Sequence, residues 1–162
     1  MRYLFFIFSG LVLLCELNAQ PVVYDSLKAQ NILIGLVNRA HIADSLWFSA
    51  NYNEAVVSEE LLNKIDQNDK GVTVEIYFGT WCSDSRVWVP AFMGMLDKTN
   101  MADKIQLIAL PGSKKLEETA RLEEIIEMVP TFVFWRNGKE IGRIVESPEE
   151  TLAKDMIRIL VE

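Results

Sequence analysis

Apolar and polar positions divide the second half of the chain into short, sharply bounded blocks. Val74–Phe78 is a β-branched and aromatic run that reads as a buried strand, and Gly79-Thr80 ends it. From Ser83 the spacing changes. Val87, Trp88, Ala91, Phe92 and Met95 recur at intervals of one, three and four, which is the pattern of a helix face. After a turn over Thr99–Asp103, Ile105–Leu110 is a second apolar strand closed by Pro111-Gly112. Leu116, Ala120, Leu122, Ile125 and Ile126 predict a helix over 114–127 with its glutamates toward solvent. Thr131–Trp135 and Ile141–Val145 read as strands joined by Asn137-Gly138, a pair that tolerates the positive φ of a tight hairpin turn. Ser147-Pro148-Glu149-Glu150 predicts a helix start, with Ser147 as cap, running to about Val161.

The first half is less sharply patterned. Leu27, Ile32, Leu33, Leu36, Val37, Ala40, Ile42, Leu46 and Trp47 suggest one or two amphipathic helices between Tyr24 and Ala50, with Gly35 and Asn38 as interruptions. A short helix over 56–65, capped by Ser58 and turning Leu61, Leu62 and Ile65 inward, precedes the polar turn Asp66–Gly71. From Val72 the order β-α-β-α-β-β-α gives two parallel-type crossovers and a hairpin. The expected architecture is α/β, a mixed sheet with helices on both faces and an extra N-terminal helical segment.

Met1–Ala19 carries one basic residue, an apolar run from Tyr3 to Cys15 and a small residue at the expected cut, the anatomy of a secretory leader. The run is shorter than the roughly 20 apolar residues of a membrane-spanning helix. Leu14 before Cys15 disfavours a lipid-anchored cysteine, so membrane anchoring is not expected. The chain is read as residues 1–19 leader, 20–70 helical extension and 71–162 core, exported to a periplasmic or extracellular location. Loss of Arg2 and Glu16 with the leader leaves the net charge of −7 unchanged. That acidity, without a basic cluster, argues against nucleic acid and anionic membrane surfaces as partners. Of two cysteines, only Cys82 remains after cleavage, so no internal disulfide can form in that chain.

Cys82 falls where the Val74–Phe78 strand gives way to the helix from Ser83. Unpaired N–H groups at a helix start point toward such a residue and favour the thiolate, the nucleophilic form of cysteine. Ser85, one turn on, is placed to donate a hydrogen bond to the sulfur. Asp84 suits the helix start but opposes a thiolate, and Arg86 is a candidate counter-charge. His41, the one histidine, has no second ligand near it in sequence, so neither a metal site nor a cofactor is expected. No Ser-His-Asp or Cys-His spacing supports hydrolysis.

From about Gly71 to the end the chain resembles the thioredoxin family. Trp81-Cys82 stands at the strand-to-helix turn as that family's active-site pair does. Pro90 follows Cys82 by eight residues, at the place of the family's helix proline. Val129-Pro130-Thr131 resembles its cis-proline loop, and Asn137-Gly138 follows in the family's register. The resemblance implies a thioredoxin fold and a groove at Trp81, Val129 and Pro130 that holds a partner's extended chain. Two departures stand out. The family's Cys-x-x-Cys is here Cys82-Ser83-Asp84-Ser85, and the buried acid six residues before the first cysteine is here Ile76, with Glu75 facing the other way. A lone thiolate can attack a disulfide and hold the mixed disulfide, but a second thiol must release it. The expectation is a monothiol exchange protein whose partners are protein thiols or disulfides, with a protein or small-molecule thiol resolving the product. The alternative is a non-catalytic binding module using the same groove.

Overall fold

The computed structural model describes residues 22–116 and 126–161. The leader with Cys15, and the 117–125 part of the helix expected at 114–127, lie outside the described residues; Lys114–Leu116 and Ile126–Glu127 are not helical. In chain order the elements are β1 (Val22–Asp25), β2 (Gln30–Leu33), β3 (Gly35–Val37), α1 (Ala40–Ala43), α2 (Leu46–Asn51), α3 (Glu59–Asn68), β4 (Val72–Phe78), α4 (Ser83–Leu96), β5 (Ile105–Ala109), β6 (Thr131–Arg136), β7 (Lys139–Val145) and α5 (Leu152–Val161). None of these helices is long and apolar enough to cross a membrane.

Strand β4 is the axis of a five-stranded sheet ordered β3-β5-β4-β6-β7. It pairs parallel with β5 and antiparallel with β6, β6 pairs antiparallel with β7, and β3 closes the β5 edge antiparallel. The sheet is mixed and flanked by helices, as expected, but among the described residues only β4 and β5 pair in parallel. An apolar run fixes the existence of a strand and leaves its direction open, so β6 on the far side of β4 was not legible from element order. Asn137 (φ 51°) and Gly138 (φ 80°) form the anticipated β6–β7 turn, both in the left-handed region that such a turn demands.

The two faces of β4 build two apolar clusters. Val72, Val74, Ile76 and Phe78 point to one side with Phe132 and Phe134, where they meet buried residues from each of α1 to α5, including Ile42, Phe48, Ile65, Phe92 and Met156. The Phe92 ring lies 4.6 Å from Phe132 and 6.1 Å from Phe134, centroid to centroid. Full burial of such a side chain stabilises by about 1.5–3 kcal/mol. Tyr77 and Val133 point to the other side, with Ile108, Leu110, Leu116, Ile126 and Val129. Glu75 also faces that way, where its carboxylate accepts from the Tyr77 hydroxyl (2.8 Å) and the Trp135 indole (2.9 Å). Burial, and then the hydrogen bond to Glu75, push the Tyr77 hydroxyl well above its ordinary pKa.

Two boundaries differ from the sequence reading. Ser58 caps α3 as anticipated, accepting from the Leu61 amide. The last helix, however, begins at Leu152. Thr151 takes the Lys154 amide, while the buried Asp155 carboxylate reaches back to the Glu149 and Glu150 amides and holds 147–150 as an irregular loop. The larger difference is at the N-terminus, where residues 22–37 are three strands and helix begins only at Ala40. Leu27 and Leu36, which completed the helical pattern, are 71% and 64% exposed. Asp25 settles the local conformation. Its Oδ1 accepts from the Leu27 (2.8 Å) and Lys28 (3.0 Å) amides, a side-chain turn that reverses the chain, and its Oδ2 accepts from the Gly112 amide (2.5 Å). The β1–β2 hairpin is thereby tied to the loop after β5.

At the other end of α4, the Arg39 guanidinium forms a two-pronged pair with Asp97, which also accepts from the Tyr52 hydroxyl. Between these anchors α4 and the end of α2 touch through backbone: a Cβ on Gly94 would lie 1.9 Å from the Tyr52 carbonyl oxygen. Gly94→Ala is therefore expected to lower stability by about 3 kcal/mol, since neither backbone can yield cheaply. A reduced urea midpoint checks it, and an unchanged midpoint contradicts the close approach.

The hairpin anchor makes a pH prediction. The hydrogen bond from Gly112, followed by those from Lys28 and Leu27, holds the Asp25 carboxyl below its ordinary value of 3.8 in the folded chain. A carboxyl with a depressed folded pKa stabilises above its unfolded pKa, and that contribution is lost as pH falls through the folded value. Exchange protection of the Leu27, Lys28 and Gly112 amides should hold from neutral pH to about pH 5 and fall below 3.8. Asp25→Asn should weaken it at neutral pH. Protection that is flat across this range would refute the anchor.

Candidate active site

The end of β4 sets the geometry of the thiol. The Leu110 amide bonds to the Phe78 carbonyl (2.7 Å), so the β4–β5 pairing continues to the last residue of the strand. Gly79 then turns the chain. Its amide is taken by the Ser85 hydroxyl (3.2 Å) and its carbonyl by the Cys82 amide (2.9 Å). Glycine is required at this turn because a Cβ there would lie 2.6 Å from the Trp81 indole, which folds back over it. The indole N–H donates to the Leu110 carbonyl (2.9 Å), fixing Trp81 across the ends of β4 and β5.

Cys82 is the N-cap residue of α4, in extended backbone at φ −90° and ψ 129°. No side chain caps this helix, so its first amides lack intrahelical acceptors beside the sulfur. Pro90 lies inside α4 and is buried; its ring removes the N–H that would have reached the Arg86 carbonyl. The thiol is partly exposed and, among the described residues, free. Its Sγ donates to the Val129 carbonyl (3.2 Å). That carbonyl belongs to a loop in which the Val129–Pro130 bond is cis, Thr131 Oγ1 donates to the Met128 carbonyl (2.7 Å) and the Glu146 amide donates to the Pro130 carbonyl (2.7 Å). Trp81, Cys82, Val129 and Pro130 are thus brought to one place.

The remaining residues singled out from sequence take different parts. Ser85 is buried and its hydroxyl serves the Gly79 amide, so it holds the turn; the expected bond from Ser85 to the sulfur is replaced by the bond from the sulfur to Val129. Asp84 is exposed in the first turn of α4. Arg86 turns back to donate from Nε to the Thr80 carbonyl (2.7 Å), which braces it against the loop before Cys82. It lines a shallow cleft of about 260 Å³ with Thr80, Asn31, His41 and Trp47. Ile76, at the position of the family's acid, is fully buried among apolar side chains. His41 accepts the Asn38 amide on Nδ1, and no group of three or more His, Cys, Asp or Glu suited to a metal occurs among the described residues.

Sequence reasoning missed the N-terminal hairpin as part of this site. The Leu33 amide donates to Thr80 Oγ1 (3.3 Å), and the Lys28 ammonium sits 3.8 Å from the centroid of a Trp81 ring. Such a cation over an indole stabilises by about 0.5–1 kcal/mol at a partly exposed site. The stem of Lys28 also occupies the space that a Cβ on Gly112 would need, 2.9 Å away. The available signal was Asp25-Ser26 after the β-branched and aromatic run Val22-Val23-Tyr24, a turn mark at the end of a strand pattern.

Comparison with known proteins agrees with this geometry. A family model described as thioredoxin matches residues 40–157, which begins well before the part of the chain carrying the motifs. Thioredoxin H2 of Arabidopsis thaliana is 31% identical over 97 residues, covering 60% of this chain and 68% of its own. The chloroplastic thioredoxin Y of rice is 34% identical over 85 residues, 52% of this chain and under half (46%) of that protein's length. Among solved structures, a Pseudomonas aeruginosa protein of unknown function superposes with a TM-score of 0.57 over 79% of this chain and 91% of that one, at 15% identity, a likeness of fold alone. The chain belongs to the thioredoxin family.

Proposed function

We propose that this chain performs thiol–disulfide exchange by a monothiol mechanism, with Cys82 as nucleophile and its product resolved by an external thiol. Family membership supports a general thiol-redox role. The observation that carries the finer reading is the pairing of a free, partly exposed Cys82 at the head of α4 with a buried Ser85 oxygen where the family has its second sulfur. The Met1–Ala19 pattern supports work in an exported, oxidising compartment, where disulfide partners are available.

In the proposed step the Cys82 thiol releases its proton to solvent and the thiolate attacks one sulfur of a partner disulfide. A bond forms between Sγ and that sulfur, the original S–S bond breaks, and the other sulfur leaves as a thiolate that takes a proton. The groove at Trp81, Val129 and Pro130 holds the partner; attack requires the sulfur to give up its bond to the Val129 carbonyl, which then becomes available to a partner amide. Ser85 cannot expel the bound partner, and Ile76 cannot accept a proton. A second thiol, from a protein or a small molecule, must attack the partner's sulfur as a thiolate; a new disulfide forms between those two sulfurs, the bond to Sγ breaks, and Cys82 leaves as a thiolate that takes a proton.

The folded protein should accordingly form a stable one-to-one adduct at Cys82 with an aromatic disulfide, absent in Cys82→Ser and released only by added thiol. Insulin reduction should be slow. Ser85→Cys should form an internal disulfide and raise turnover, at a stability loss of about 1–3 kcal/mol because the Gly79 amide loses its hydroxyl acceptor. Mass spectrometry and a turnover assay check both. A Cys82 that labels only after unfolding would sink the exchange reading and leave a groove-binding module without thiol chemistry.

A further inference from the structure

We infer that Lys28, carried to the thiol site by the N-terminal hairpin, is a specificity-determining residue that favours disulfide partners bearing a carboxylate beside the reactive sulfur. The inference rests on the exchange role of Cys82 and names the class of partner for it. Its ground is the way in which the hairpin is built. Asp25 uses one carboxylate oxygen to shape the turn and the other to hold the Gly112 amide, and Leu33 donates to Thr80 from the other end of β2. These bonds to Gly112 and Thr80 attach the hairpin to the two loops that flank Trp81. Lys28, in the turn between them, has its ammonium 3.8 Å from the Trp81 ring centroid.

That ammonium is held in place, and the acid that acts on it is Asp25, whose carboxyl the Lys28 charge helps to keep ionised. Among the described residues no carboxylate forms an ion pair with it. Asp25 interacts with it through space only, because its oxygens accept from three backbone amides and form no direct ion pair with the ammonium. Asp84, two residues after Cys82, lies exposed in the first turn of α4. In a chain of net charge −7 an acidic partner is otherwise repelled. A fixed cation on the indole next to Cys82 therefore provides local attraction where the overall field opposes approach, and a partner carboxylate meeting Lys28 brings its neighbouring sulfur toward Sγ.

The test compares rates of Cys82 modification by two aromatic disulfides, dianionic dithiobis(nitrobenzoate) and neutral dithiodipyridine, with Cys82→Ser subtracting any other thiol. In each case Sγ bonds to one reagent sulfur and an aromatic thiolate leaves. The neutral reagent reports general effects on the thiol, and the ratio of the two rates isolates charge. Lys28→Met, which keeps an unbranched stem on the indole, should lower the anionic-to-neutral ratio about three- to tenfold at low salt. Lys28→Glu should lower it further, and Lys28→Arg should retain it. The difference between native protein and Lys28→Met should vanish between roughly 0.01 and 1 M salt. A matched pair of cystine-linked peptides with Glu or Gln beside the cysteine should show the same order if the carboxylate is carried by a protein; discrimination of the small reagents alone would assign it to small-molecule disulfides. A ratio indifferent to residue 28 at low salt, with Cys82 still reactive, overturns the inference and leaves the exchange role standing. Failure of both reagents to label Cys82 overturns the exchange role itself.

Discussion

The pairing of β4, on both sides as far as Tyr77 and with β5 to its last residue, is the constraint on which the rest depends. With β5 parallel on one edge and β6 antiparallel on the other, Val74–Tyr77 is paired on both sides, and the Leu110–Phe78 bond closes the β5 ladder at its end. The chain can leave the sheet only after Phe78. Gly79 supplies the turn, and α4 starts within four residues with Cys82 at its head. The position of the sulfur is thus a property of the sheet, held by strands in which single substitutions on one apolar face cost several kcal/mol.

Once the sheet and α4 are placed, two loops converge on the sulfur from different parts of the chain. The Val129–Pro130 loop enters from β6 and offers a carbonyl to the thiol, while the Leu110–Gly112 loop enters from β5 and fixes Trp81. The hairpin β1–β2 then closes over the outer side of Trp81, using Asp25 and Leu33 as its ties. The burial of Ile76 and the structural use of the Ser85 hydroxyl belong together. Both positions that assist resolution elsewhere in the family have been given to packing and to the turn. Under the proposed exchange, a site built in this way would keep the attacking sulfur and take its release from an external thiol.

Much of this was legible in the chain itself. Strand β4, helix α4, the Ser58 cap and the Asn137-Gly138 turn each rest on local chemistry: β-branched runs, three-and-four spacing, a hydroxyl cap, residues that tolerate positive φ. The thiol's place at the head of a helix followed from the same signals. The N-terminal strands were hidden because Leu27, Ile32, Leu33 and Leu36 happen to fit helical spacing, whereas Asp25 and the distant Gly112 amide decide the conformation. The start of α5 was displaced because Asp155 captures amides that a Ser147 cap would have organised differently. Ser85, Arg86 and Lys28 all depend on contacts across the fold, and spacing along the chain carries no information about them.

The central claim is that a partner chain bonded to Cys82 lies across the Val129–Pro130 loop and against Trp81. Its most direct test is an NMR map of isotopically labelled protein carrying a short cysteine peptide as a mixed disulfide at Cys82. The account predicts large amide shifts at Val129 and Thr131, a shift of the Trp81 indole N–H, and cross-peaks from the peptide backbone to residues 128–131. A peptide that is covalently attached at Cys82 yet leaves those signals at their free positions would contradict it.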